Sequence, residues 1–274
     1  MVVDLAALEA AAKHVYAAMP PTPQFAWPLL SARAGCEVWV KHENHTPTGA
    51  FKVRGGLNLV AALAARRQAP AGVITATRGN HGQSLAFAAR RHAMRCVIVV
   101  PHGNSCDKNS AMRALGAELI EHGRDFDEAR EHAALLARER GMRFVGPFEP
   151  ELVAGVGTYA LELFRAVPAL DAVYVPIGCG SGICGLIAAR DALGLSTRIV
   201  GVVSAHANAY AQSFRARECI ETPNAITLAD GMAVRCGACG ARRHLAWRAR
   251  RRRDQRRAGG GGDARVFRRY APGR

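Results

Sequence analysis

The chain has 274 residues, 49% of them hydrophobic, which is enough for a full core, and no run approaches the roughly 18 apolar residues of a membrane-spanning helix. Its formal charge is +15, yet residues 235–274 alone hold fourteen arginines against two aspartates, so the basicity belongs to a tail and nucleic acid is not the expected partner. The start, MVVDLAALEAAAKHVY, carries Asp4 and Glu9 instead of a basic region and an apolar block, so the expected location is the cytoplasm.

From about residue 36 to 217, apolar runs of strand length alternate with alanine-rich amphipathic stretches. That alternation predicts βαβ units around a mostly parallel sheet, hence the α/β class. Strands are predicted over 36–43, 72–77, 95–101, 118–123, 172–178 and 198–204, and helices near 55–67, 80–92, 107–116, 125–140, 151–166, 182–193 and 208–217. The eight cysteines are scattered through these elements of a chain too large to need stapling, and are read as reduced thiols. Cys236, Cys239 and His244 lack a fourth partner for zinc, and no metal is expected.

Ligands of such sheets sit beyond the carboxyl ends of the strands, where three predicted strands run into unusual loops: HENHTPTGAFK, TRGNHG and GCGSG. The first contains Lys52, one of only four lysines beside thirty-three arginines. Its flanks, Gly49, Ala50, Phe51 and Gly55-Gly56, read as a turn that admits a bulky planar guest close to the backbone, where an amine shielded from water can bond a carbonyl carbon. The third loop, Gly178 to Gly182, leads into a helical pattern, so that backbone N–H groups, the helix N-terminus and the Ser181 hydroxyl suit a phosphate. It is neither a Walker loop nor a dinucleotide fingerprint, and taken alone it fits a ligand-free tight turn equally well. A reactive lysine together with a phosphate cradle on another strand implies pyridoxal 5'-phosphate.

KHENHTPTGAFKVRGG resembles the lysine motif of the fold type II pyridoxal-phosphate enzymes, in particular the threonine/serine dehydratases and the serine racemases close to them. Further motifs follow in the family's order: PTPQFAWPLLS (21–31), TRGNHGQSLAFAAR (77–90), VPHGNSCDKNSAMRALGAELI (100–120), GPFEPELVAGVGTYALEL (146–163), VPIGCGSGICG (175–185) and TLADGMAVR (227–235). The resemblance covers about residues 5–235. It implies a tryptophan synthase beta-like α/β fold of two three-layer α/β/α lobes. Residues 1–70 and 150–235 would form the large cofactor-binding lobe, and 71–149 the small one. By position, Lys52 would carry the cofactor as a Schiff base and act as acid and base at Cα. Phe51 would lie near the ring, Asn80 would bond the ring hydroxyl, and Gly178, Cys179, Gly180, Ser181 and Gly182 would cradle the phosphate. Gly231 would approach from the far side, and Thr77, Arg78, Gly79 and His81 would receive the substrate carboxylate; capping of the following helix is an alternative for Asn80-His81. The implied reaction is dehydration and deamination of L-threonine or L-serine to a 2-oxo acid and ammonia, by a homodimeric ammonia-lyase.

Two departures bear on that reading. Where racemases of the family place a serine base, this sequence has Arg78, and a guanidinium is a poor proton acceptor. Arg78 either clamps a carboxylate, as 3-hydroxyaspartate would offer, or points to solvent. The second departure is residues 236–274, rich in Arg and Gly with one leucine, one valine and no isoleucine, which read as a disordered tail without a strand. The family continues there with the rest of the large lobe and a partner for the pyridine nitrogen. A shifted reading frame is the expected origin of this tail; alternatives to the implied reaction are 3-hydroxyaspartate dehydration, racemase or threonine synthase-like activity on the same fold, and an inactive truncated product.

Overall fold

The structure, a computed structural model, describes residues 3–235 and the backbone of 268–270. The chain opens with helix α1 (Leu5–Tyr16), which the sequence reading did not anticipate; Asp4 caps it by accepting from the Ala7 amide at 2.9 Å, and Leu8, Ala11 and Val15 face the core. Strands β1 (Gln24–Ala26) and β2 (Trp39–Lys41) flank helix α2 (Pro28–Ala34) and pair antiparallel, in register Gln24 with Lys41. The apolar run at 36–43 therefore gives a three-residue strand of a separate ribbon and no member of a parallel sheet.

Helix α3 (Lys52–Ala64) precedes a four-stranded parallel sheet ordered β5-β4-β3-β6, built from β3 (Gly72–Ala76), β4 (Arg95–Val100), β5 (Glu118–Glu121) and β6 (Arg143–Phe144). Helices α4 (Asn80–Arg91), α5 (Cys106–Ala114) and α6 (Phe126–Glu139) connect its strands. The continuous apolar text of β3 and β4 matches its burial on both faces, as expected of inner parallel strands. Two residues of β6 are too short for any pattern to announce.

Helix α7 (Pro150–Ala166) leads to a second parallel sheet, β7-β8-β9, formed by β7 (Ala172–Pro176), β8 (Arg198–Ser204) and β9 (Arg268–Tyr270), with α8 (Ser181–Ala192) and α9 (Ala209–Ala216) along the way and a 3-10 turn at Asp230–Met232. Strand β9 corrects the expectation of a strandless tail. Val202 pairs with Arg268 and Ser204 with Tyr270, because the edge of β8 opposite β7 needs only backbone donors and acceptors. The other tail residues, with Cys236, Cys239 and His244, lie outside the described residues. Among the described residues Cys36, Cys96, Cys106 and Cys179 are free thiols.

Helix α3 is gripped from both sides by backbone. A Cβ on Gly55 would stand 2.9 Å from the Leu152 carbonyl oxygen of α7, one on Gly155 only 2.3 Å from that of Arg54, and one on Gly56 2.6 Å from that of Ser84 on α4. Gly55-Gly56 thus admit neighbouring helices, which corrects their reading as room for a planar guest. Because neither backbone can yield, Gly155→Ala is expected to cost on the order of 3 kcal/mol, read as a lower urea midpoint at unchanged slope.

Candidate active site

The segment before Lys52 folds as a closed turn. Thr46 Oγ1 accepts from the Ala50 amide at 2.9 Å, its carbonyl accepts from Gly49 N–H at 2.9 Å, and Gly49 takes the left-handed conformation at φ 66°. That turn launches α3 with Lys52 as its first helical residue, so the lysine stands on a helix and not in a loop. Its Nζ lies 5.7 Å from the Phe51 ring centroid, and its carbonyl accepts from Ser84 Oγ at 2.6 Å, tying it to α4.

Behind the lysine, Arg54 is fully buried among carboxylates. Its Nε and Nη1 donate to Glu43 at 2.7 Å and Glu162 at 2.6 Å, Thr158 and Thr22 accept as well, and Lys41 pairs with Glu162 at 2.6 Å. Burial pushes the Glu162 carboxyl up, but Arg54 and Lys41 outweigh it and hold the group below the usual carboxylate range. The network joins the turn at Glu43–His45, α3 and α7. Sequence reading missed it, although an arginine between valine and Gly55-Gly56 on an apolar helix face was a signal.

The loop after β3 supplies the second group. Thr77 Oγ1 accepts from the Gly79 amide at 3.0 Å, Arg78 is exposed, and α4 starts at Asn80 with no side-chain cap bond, which leaves Asn80-His81 without the capping role. His81 is buried with Nε2 3.4 Å from the Val145 carbonyl. Burial first, then the nearby Lys52 charge, lower its pKa from 6.5 to about 3. The native imidazole stays neutral while the unfolded chain takes up a proton, so this group leaves stability flat above pH 6.5 and erodes it between 6.5 and about 3. The slope there approaches ~1.4 kcal/mol per pH unit, and His81→Gln is expected to flatten it in urea unfolding at pH 7, 5 and 4.

The third group follows β7. Gly180 takes φ 95°, α8 begins at Ser181, and its first capping bond runs from the Cys184 amide to the Gly180 carbonyl at 3.1 Å. The amides from Gly178 to Ile183 have no hydrogen-bond acceptor among the described residues. Unpaired donors clustered at a helix N-terminus suit an anion.

These groups come together. A Cβ on Gly182 would stand 3.5 Å from Phe51 Cζ, one on Gly178 would meet the Gly231 carbonyl oxygen at 2.0 Å, and one on Gly231 would lie 3.9 Å from Asn80 Nδ2. The approaches run from Lys52 past Phe51 to the glycine turn and on through Gly231 to Asn80, and the charge of Lys52 acts on His81 beside it. Three features went unread in the sequence: the Lys108–Asp230 ion pair beside Gly79 and Gly231, and the hydroxyls of Tyr159 and Tyr210, which donate to the carbonyls of Gly182 at 3.1 Å and Cys179 at 2.9 Å. Lys108, one of four lysines, was the only one of these with a visible signal. Among the described residues no group of three or more His, Cys, Asp or Glu could hold a metal ion.

Residues 15–256 match the family described as pyridoxal-phosphate dependent enzymes. This chain belongs to that family. Its donor set fits the cofactor in kind, with a primary amine for an aldehyde and unpaired amides for a phosphate. The chain is 39% identical over 207 residues to an L-threonine ammonia-lyase of Geobacter sulfurreducens, covering 75% of this chain and 51% of that protein. Among solved structures it resembles the processed form of threonine deaminase isoform 2 from Solanum lycopersicum, with TM-score 0.79, 31% identity, and coverage of 88% of this chain and 72% of that one. It also resembles maize serine racemase, with TM-score 0.86, 26% identity, and coverage of 97% and 77%. The fold is thus the fold type II α/β architecture. The chain spans about half the length of the curated relatives it matches. No helix among the described residues is long and apolar enough to cross a membrane.

Proposed function

We propose that the chain is a threonine ammonia-lyase, eliminating water from an L-β-hydroxy amino acid and returning water to the resulting imine, so that the net products are a 2-oxo acid and ammonia. The observation that carries this reading is the convergence of Lys52, Asn80-His81 and the unpaired amides of Gly178 to Gly182. Relatives named for threonine deamination support it. Bound pyridoxal phosphate supplies an electron sink for the charge left at Cα.

Lys52 is the amine that would hold the cofactor, and its free amine would take the Cα proton of the substrate. Phe51 would lie near the ring, and Asn80 would hydrogen-bond the ring hydroxyl. Gly178, Cys179, Gly180, Ser181 and Gly182 would hold the phosphate, with Gly231 beside that turn. Thr77, Arg78, Gly79 and His81 receive the substrate carboxylate, and a neutral His81 does so without adding charge beside Lys52. After the β-hydroxyl leaves, water completes the release of ammonia. A guanidinium at position 78 is the basis of a second reading, an acidic substrate such as 3-hydroxyaspartate, and as a poor proton acceptor it disfavours racemisation. Two lobes, 1–70 with 150–235 and 71–149, are part of this reading, supported by β3 to β6 falling within 71–149 and β7 and β8 within 150–235. So are a cytoplasmic homodimer and the absence of a nucleic-acid partner.

The test is to load the purified chain with pyridoxal phosphate and follow 2-oxo acid release from L-threonine, L-serine and 3-hydroxyaspartate. Release from L-threonine or L-serine is expected. Cofactor binding with no 2-oxo acid from any of the three would refute the lyase reading.

A further inference from the structure

The glycine turn must hold its amides toward an anion although its own residues offer almost no side chains to brace it. The bracing comes from two buried tyrosines on different helices. Tyr210, at the start of α9, donates its hydroxyl to the Cys179 carbonyl at 2.9 Å, and Tyr159, on α7, donates to the Gly182 carbonyl at 3.1 Å while its ring lies 6.1 Å from that of Phe51. Both residues are buried, at 6% and 7% exposure, so neither hydroxyl is free to trade its partner for bulk water.

The two bonds act on the turn through the planarity of the peptide unit. The carbonyl of Cys179 and the amide of Gly180 share one plane and point to opposite sides of it. Holding the carbonyl outward on Tyr210 therefore aims the Gly180 N–H inward, at a residue that takes the left-handed φ of 95° and has no Cβ to fix it there. At the other end Tyr159 anchors the first turn of α8, whose leading amides remain unpaired among the described residues. A hydrogen bond from behind thus fixes donors in front before any ligand arrives.

We propose that Tyr210, with Tyr159 as its counterpart, is a positioning residue that orients the glycine-turn amides toward the phosphate of the cofactor. This inference rests on the cofactor reading above. It predicts that the two hydroxyls matter for a ligand carrying a phosphate and not for the same ring without one.

The experiment measures affinities of the full chain for pyridoxal phosphate and for pyridoxal, by absorbance titration, in the wild type, Tyr210→Phe, Tyr159→Phe and Lys52→Ala. In Tyr210→Phe the preference for the phosphorylated form is expected to fall about tenfold, the worth of one well-placed hydrogen bond, with pyridoxal affinity unchanged. Tyr159→Phe should shift the preference in the same direction, so the inference stays testable should one variant fold poorly. Competition by inorganic phosphate should weaken in parallel. Lys52→Ala should lose affinity for both ligands while keeping the wild-type preference. An unchanged preference in both tyrosine variants, beside a wild type whose cofactor binding depends on Lys52, would overturn the positioning role alone. A wild type that binds neither ligand would overturn the cofactor reading, and this inference with it.

Discussion

Arg54→Met is expected to lower stability by about 3–5 kcal/mol, enough to leave much of the chain unfolded or insoluble at ordinary temperature. The wild-type guanidinium is fully buried and satisfies two carboxylates and two threonine hydroxyls at once. Removing it leaves Glu43 and Glu162 with Lys41 as the nearest remaining cation, 2.6 Å from Glu162. The loss is chiefly the penalty of stranding buried negative charge, and that origin can be checked. Arg54→Met combined with Glu43→Gln and Glu162→Gln should recover a substantial part of the stability in urea unfolding, whereas a loss due to the arginine's packing volume would persist in the triple variant. The pH dependence has the matching sign. With the Glu162 pKa held below its ordinary value of 4.5, the network's contribution is present above that pH and is lost as the pH falls through the lowered value.

Lys52→Ala should leave the fold intact and lower 2-oxo acid release by about 10⁴-fold, the upper range for loss of a positioned proton-transfer group. Visible absorbance of the bound cofactor should change, and borohydride treatment, which fixes the wild-type cofactor to the peptide bearing Lys52, should fix none to the variant. An electrostatic readout is independent of turnover. The Lys52 charge is the second cause, after burial, of the low His81 pKa, so His81 should titrate higher in Lys52→Ala. An unmoved His81 titration by NMR would separate the two groups and weaken the case that they share one site.

The inner strands β3 and β4 were legible because they are buried on both faces and read as unbroken apolar runs, and the largely apolar β8 also falls within a residue or two of expectation. Strands β1, β2 and β6, of two or three residues, carry no period, and β9 is held by backbone pairing that its arginines do not advertise. Within the site, lysine and glycine announced themselves because few other residues can do their work. Tyr159 and Tyr210 did not, since a tyrosine on an apolar helix face reads as core until the partner of its hydroxyl is known. The Gly55-Gly56 pair was noticed for its smallness and assigned to a guest, when helices α4 and α7 occupy that space. Sequence shows that room is needed without showing who takes it.

The double grip on α3 also has a bearing on how this protein could change over time. With backbone pressed against backbone on both flanks, almost no drift is open to the helix that presents the amine. New substrate preferences would have to be acquired elsewhere, most readily at Arg78, which faces solvent. Directed evolution for altered selectivity should therefore draw its winning substitutions from the rim at 77–81 and leave 52–56 untouched.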